Sequence, residues 1–215
     1  MMNICHRCGL YRADKLIDPK GPFAVCPECG YKHLFRQLPL FVVSGASGTG
    51  KTTILQKLLG RLDEFVLLDS DILWRAEFNN PEDNYRSFFE IWLRVAKNIA
   101  QSGRPVMLFG AGAGVPANIE PCVERRYFSR VHYLALTCEE EVLRRRLVAR
   151  PEWRGTHAEE FIRAQVEFND WFKQSADRED DRIELLDTTH DPVETTAAAV
   201  AAWAKKLATV LAFEC

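Results

Sequence analysis

Nine residues, GASGTGKTT at 45–53, carry the plainest chemistry in this chain. They spell G-x-x-x-x-G-K-T behind a short apolar run, LFVVS at 40–44. Gly-rich turns of this kind aim backbone N–H groups at phosphate oxygens, and the dipole of the helix that follows favours the negative charge. Gly45, Ala46, Ser47, Gly48, Thr49, Gly50, Lys51, Thr52 and Thr53 are therefore expected to cradle ATP. Lys51 would reach the β- and γ-phosphates, and Thr52 would hold Mg2+.

A second constellation lies upstream. CHRCG at 5–9 and CPECG at 26–30 are two C-x-x-C-G knuckles with seventeen residues between Cys8 and Cys26. That is the spacing of a four-cysteine zinc site. Four thiolates must converge on one ion, and a two-residue gap lets both sulfurs of a knuckle point the same way. Gly9 and Gly30 let the backbone turn back with amides free to face the sulfurs. Cys5, Cys8, Cys26 and Cys29 are expected to form a closed, structural Zn2+ site. His6 and His33 are read as surface residues. Cys122, Cys138 and Cys215 fall outside the pattern and read as small apolar fillers or free thiols.

Two further groups could act on a phosphate. The run FVLLD at 65–69 continues into SD, which puts Asp69 and Asp71 at a strand end. A period of two would point both carboxylates to one side. Asp69 could then order Mg2+, and Asp71 could accept a proton from an attacking hydroxyl. A turn or helix cap after a strand would use the same residues. Further on, EEEVLRRRLVARPEWRG at 139–155 supplies Arg146, Arg150 and Arg154, expected to stabilise charge on a transferring phosphoryl group. Arg144 and Arg145 stand four residues after Glu140 and Glu141 and read at least partly as a solvated ion-paired face.

These residues need a scaffold. From residue 40, short apolar runs (40–44, 65–69, 106–110, 131–137, 183–187) alternate with helical patterns near 50–61, 85–102, 138–149, 156–174 and 192–211. Continuous apolar strands between helices predict an α/β fold, a doubly wound five-stranded parallel sheet. Its ligands would sit beyond the C-terminal strand ends. The expected division is a small zinc-ribbon module at 1–36 and a P-loop domain at 37–215, with a lid about 144–158. Forty residues bury little core, so the metal would supply much of the ribbon's folding energy.

The third apolar run ends in GAGAG at 110–114 and carries no carboxylate. A motor or switch ATPase usually places an acid there. The order of P-loop, DSD, GAGAG and an Arg-rich segment over residues 40–212 resembles the small-molecule and nucleoside/nucleotide kinases: shikimate kinase, gluconate kinase and chloramphenicol phosphotransferase. The resemblance implies that Asp71 is the base and that GAGAG lines the acceptor pocket. It also implies that 144–158 is a mobile lid and that the loop holding Thr188 and Thr189 passes the adenine. Three consecutive glycines of shikimate kinase are missing. Trp74, Arg75, Asn84 and Tyr85 fall where such enzymes close over the acceptor, whereas Phe88, Phe89, Ile91 and Trp92 have core spacing.

Whole-chain properties narrow the class. A net charge of -2 over 215 residues argues against a chain built to coat nucleic acid. Residues 1–40 carry a net +3 and the remainder a net -5, so a polyanion-facing surface would lie at the ribbon. No run of about 18 apolar residues is present, and MMNICHRCGL has no signal-peptide core, so a cytoplasmic location is expected. The function expected is an ATP- and Mg2+-dependent phosphotransferase acting on a small metabolite, nucleoside or nucleotide. A polynucleotide-end kinase gripping nucleic acid through the ribbon and a non-catalytic, nucleotide-dependent protein-binding module are the alternatives.

Overall fold

In a computed structural model of the chain, residues 3–175 and 183–212 are described; Cys215 lies outside them. The chain begins with a three-stranded antiparallel sheet: β1 (Leu16–Asp18), β2 (Phe23–Val25) and β3 (Lys32–Leu34), in that order. The larger part alternates β4 (Leu40–Ser44), α1 (Lys51–Leu58), β5 (Val66–Asp69), α2 (Arg86–Ala100) and β6 (Val106–Phe109). It continues with α3 (Pro116–Ile119), β7 (Val131–Thr137), α4 (Glu140–Val148), α5 (Glu159–Ser175), β8 (Ile183–Asp187) and α6 (Val193–Ala212). Its sheet has the order β5-β6-β4-β7-β8, and every pair is parallel.

Alternation along the strands explains why helices cover both faces. Leu40 and Val42 of β4 join Val106 and Leu108 of β6 in a cluster with Phe88, Phe89, Trp92 and Leu93 of α2. The intervening Phe41 and Val43, with Met107 and Phe109, pack against Ile54 and Leu58 of α1 and Val200 and Ala204 of α6. Successive side chains of a strand point to opposite faces, so a continuously apolar strand requires a layer on each side. β4 is central, and the chain leaves it directly into the P-loop.

The ribbon is fixed to this body through buried polar groups as well as apolar ones. Phe35 and Ala24 pack on Tyr127, whose hydroxyl donates to Ala13 O at 2.5 Å. Glu124, fully buried, accepts from Arg94 Nε at 2.8 Å and from the ammonium of Lys97, which is equally buried. Lys97 also donates to Asn3 Oδ1 and lies 3.9 Å over the Tyr127 ring. Gln101 exchanges two hydrogen bonds with the Arg36 backbone, at 2.8 and 3.1 Å. Arg94, Lys97 and Gln101 lie on the C-terminal half of α2 and just beyond it, and Glu124 and Tyr127 on a 3-10 turn at Val123–Tyr127. None of the described helices is long and apolar enough to cross a membrane.

Candidate active site

The P-loop sits between β4 and α1, and its geometry explains its glycines. Gly45 has φ +137, and a Cβ there would meet Leu136 O at 2.3 Å and Thr49 Oγ1 at 2.6 Å. Gly48 and Gly50 have φ near +100, values that L side chains rarely adopt. α1 starts at Lys51 with no side-chain cap and no acid in its first turn, so its leading N–H groups remain for an anionic ligand. Lys51 Nζ donates to Gly45 O at 2.7 Å and Ala46 O at 2.9 Å, lying across the loop. Burial pulls its pKa down to about 8, against the opposing pull of Asp71. Thr52 and Thr53 are exposed on the first turn.

Asp69 and Asp71 are brought together, but not by strand alternation. β5 ends at Asp69, and Ser70–Leu73 turn into a 3-10 helix. The Asp69 carboxylate caps that turn, accepting from Asp71 N at 2.9 Å. The period-two expectation therefore fails at the turn, and capping, the alternative use of these residues, is what Asp69 does here. The capping bond uses one lone pair of Oδ1 and leaves Oδ2 for a cation. The segment is held from two sides: Trp92 Nε1 donates to Ser70 O at 3.1 Å, and a Cβ on Gly110 would meet Ser70 Oγ at 2.1 Å. Protein crowding around the Asp71 carboxyl raises its pKa, and the neighbouring Asp69 charge adds to the shift.

The arginines expected in a lid divide. Arg150 lies past the end of α4, where its NH1 donates to Ser47 Oγ at 2.8 Å, directly over the P-loop. Arg146 turns the other way, giving NH1 to Thr188 Oγ1 at 3.0 Å and NH2 to Thr188 O at 2.6 Å. Arg154 is exposed in a 3-10 turn at Glu152–Arg154, 5.2 Å over the Trp153 ring. Arg144 is tied to Glu140 and Glu159, each at 2.8 Å. Thr188 is buried and also bonds the backbone of Thr49 and Thr137. The Thr189 hydroxyl is used between Asp187 and Glu139 N.

Two cavities bear on the site, the smaller lined by the loop itself and the larger reaching it through Gln165, which bonds Ser47 N. One, about 280 Å³, is lined by Gly48, Thr49, Gly50, Thr53, Arg146, Arg150 and Thr188 among others. The other, about 720 Å³, is lined by Asp71, Trp74, Asn79, Tyr85, Phe88, Phe89, Ala111, Gly112, Asn118, Gln165 and Phe168 among others. GAGAG thus lines it through Ala111 and Gly112. Trp74 and Tyr85 line it, Arg75 and Asn84 do not, and Phe88 and Phe89 serve both core and cavity. Asn84 and Tyr85 take φ +50 and +53. For a bulky residue such as tyrosine that conformation costs about 1–2 kcal/mol. It starts α2 with the Tyr85 ring 6.1 Å from that of Trp74.

Sequence reading missed Gln165 and Phe168 of α5. Gln165 Oε1 accepts from Ser47 N at 2.7 Å while its side chain also lines the larger cavity. One glutamine on an amphipathic helix carries no local signal for this; only its shared face with Phe168 three residues on hints at it.

At the far end, the four ribbon sulfurs lie within 4.8 Å of one another. Cys5 Sγ is 3.6 Å from Cys29 Sγ, and Cys8 Sγ is 3.7 Å from Cys26 Sγ. The edge of a tetrahedron with 2.3 Å metal–sulfur bonds is about 3.8 Å, so the sulfurs fit one ion. The knuckles repeat each other. Arg7 and Cys8 N–H face the Cys5 sulfur, and Glu28 and Cys29 N–H face the Cys26 sulfur. Gly9 and Gly30, at φ +75 and +67, close each turn by donating to Cys5 O and Cys26 O at 2.9 and 3.0 Å. His33 is buried against His6 and Tyr31, not a surface residue.

Comparison with known proteins agrees with this architecture. Residues 40–175 match the family model AAA_33, described as an AAA domain. No curated protein matches the chain. A sugar kinase from Janibacter sp. superposes with a TM-score of 0.56 at 19% identity, over 80% of this chain and 98% of that one. A gluconokinase from Sinorhizobium meliloti gives 0.53 at 19%, over 83% and 98%. At such identities the likeness is one of fold.

Proposed function

The chain belongs to the AAA_33 family of AAA domains and has the P-loop kinase fold, and from that premise we propose that it is an ATP- and Mg2+-dependent phosphotransferase acting on a small-molecule hydroxyl or phosphate. One observation carries the reading. Asp71 lines the larger cavity and feels the charge of Lys51 on the phosphate loop, so an acceptor there would lie between a carboxylate base and the terminal phosphate of a nucleotide.

In the proposed reaction the P-loop amides and Lys51 hold the triphosphate. Mg2+ held by Thr52 and Asp69 would offset the charge on the phosphates. The acceptor oxygen attacks the γ-phosphorus, its proton passes to Asp71, and the bond to ADP breaks. Arg150, over Ser47, is placed to balance charge on the transferring group, with Arg154 joining when 144–158 closes and excludes water. Arg146 and Thr188 shape the nucleotide side, and Thr189 supports that loop. Cys5, Cys8, Cys26 and Cys29 would hold structural Zn2+ in a module at 1–36, apart from the catalytic domain at 37–215.

None of the residues lining either cavity comes from 1–36, so a nucleic-acid grip through the ribbon would act away from the transferred phosphoryl group. The test is ADP formation with Mg2+ and ATP across a panel of nucleosides, nucleotides, sugars and oligonucleotides. With the acceptor found, Asp71→Asn should lower turnover by about 10²–10⁴-fold. Full transfer by that variant would remove Asp71 from the mechanism. Nucleotide binding with no transfer to any acceptor would favour a binding module.

A further inference from the structure

The two cavities beside the P-loop differ in charge. The smaller is lined by two arginines, Arg146 and Arg150, against one acid, Asp191. The larger has no Lys, Arg or His in its lining; its one ionisable acid or base at neutral pH is the Asp71 carboxylate. Nearby cations point elsewhere. Arg86, in the first turn of α2, engages Cys122, and Arg75 is exposed outside the lining. Lys51 and Arg154 are felt by Asp71, but they belong to the phosphate loop and the lid, where the transferring phosphoryl group needs them.

An anionic acceptor in this cavity would lose water without gaining a counter-charge, beside a carboxylate of the same sign. What the walls offer is flat apolar surface and neutral hydrogen bonding. Trp74 is 45% exposed, and its ring lies 5.2 Å edge-on to Phe88 and tilted at 6.1 Å from Tyr85. Phe168 approaches from α5, held by Phe172 at 4.7 Å. Asn79, Asn118 and Gln165 supply amide groups, and Asn118 is fixed by donating to Gly112 O at 2.8 Å. A volume of about 720 Å³ falls within the range of small-molecule sites. The left-handed Tyr85, at φ +53, is the kind of backbone strain that collects at ligand clamps.

We propose that the acceptor is a neutral compound of nucleoside size, carrying a flat or aromatic ring and a free hydroxyl, and not a phosphate ester or a carboxylic acid. The ring packs against Trp74 and Tyr85 with the hydroxyl at Asp71. Its oxygen forms the new bond to the γ-phosphorus, its proton leaves through Asp71 to solvent, and ADP departs with the electrons of the broken bond. The product is a phosphomonoester whose new negative charge opposes its retention beside Asp71. The inference rests on the phosphotransferase reading and narrows its acceptor.

The test pairs neutral and anionic probes on the full chain: thymidine with thymidine 5′-monophosphate, adenosine with AMP, and phenylethanediol with gluconate and shikimate. Binding is followed by tryptophan fluorescence in the presence of ADP and Mg2+, and transfer by ADP release with ATP. At least one neutral ring probe should bind at least tenfold tighter than its anionic counterpart. Trp74→Ala should lose at least tenfold of that affinity, and Asn79→Arg should shift preference toward the monophosphate. Equal or tighter binding of the anions, or no binding of any neutral probe at millimolar concentration, overturns the inference. Phosphorylation of gluconate or AMP alone overturns the acceptor class and leaves the kinase standing. Selective neutral binding with no transfer to any bound probe supports the neutral-ring ligand class of the cavity and overturns the kinase reading on which its acceptor role rests.

Discussion

Replacing Glu124 by Gln removes the only carboxylate bonded to Lys97 at the junction between ribbon and body, among the described residues. Both side chains have no solvent exposure. The amide would be nearly isosteric, so the change is one of charge. Lys97 would then be a buried ammonium whose polar partners are Asn3 Oδ1 and an amide. Burial already pulls the Lys97 pKa down even with Glu124 beside it. Breaking a buried pair on one side typically costs about 3–5 kcal/mol. For a chain of this length each kcal/mol moves the melting temperature by roughly 2–4 °C, so Glu124→Gln should lower it by about 6–20 °C. The assay is thermal unfolding of metal-loaded protein near neutral pH. The double variant Lys97→Met with Glu124→Leu removes both charges together and should recover most of the loss. A shift under about 2 °C for Glu124→Gln would refute the reasoning. So would a double variant no better than the single, because charge imbalance would then not be the cause.

The pH dependence of turnover follows from two groups. Asp71 must be ionised to accept a proton, and crowding lifts its pKa above the ordinary 3.8. Lys51 must be charged to hold phosphate, and burial lowers its pKa to about 8. Since kcat/KM reports the free enzyme, its profile against ATP should be bell-shaped. The acid limb should lie above the ordinary aspartate value of 3.8 and the alkaline limb near 8; an alkaline limb near 10.5 would count against the Lys51 environment. The same lysine releases its proton more readily folded than unfolded. Its own contribution to the stability of the nucleotide-free protein should therefore rise, not fall, as pH climbs from about 8 toward 10.5, measured as the difference in denaturant unfolding between the native chain and Lys51→Met. Metal analysis should find one zinc per chain, and its removal or Cys29→Ser should lower the melting temperature while nucleotide still binds. Unchanged melting after chelation would show that the sulfurs hold no stabilising ion.

The strands of the body were legible because buried parallel strands are written as uninterrupted apolar runs. LFVVS matches β4 over 40–44, and VHYLALT matches β7 over 131–137. The ribbon strands were not legible, since three residues such as Phe23–Val25 are too few to show a period and derive their order from the knuckles around them. Asp69 shows where local reading breaks. Strand alternation governs only while the strand lasts, and a capped turn decides where Asp71 goes. Gln165 meets Ser47 N across 118 positions, and no local pattern can encode that meeting. Arg146 and Arg150 look equivalent by spacing, but the helix ends at Val148, and they reach different partners.

α2 behaves as a ruler with marks at both ends. Phe88 and Phe89 form part of the wall of the larger cavity, while Arg94 and Lys97 grip Tyr11, Asn3 and Glu124 further along. Its fifteen residues span about 22 Å, and one added residue turns everything beyond it by about 100°. An insertion between Leu93 and Arg94 would therefore leave either the aromatic wall or the ribbon grip facing the wrong way. Each end constrains the sequence of the other through the phase of one helix. A chimera that moves the ribbon onto another protein of this fold must carry the second half of α2 with it, in register.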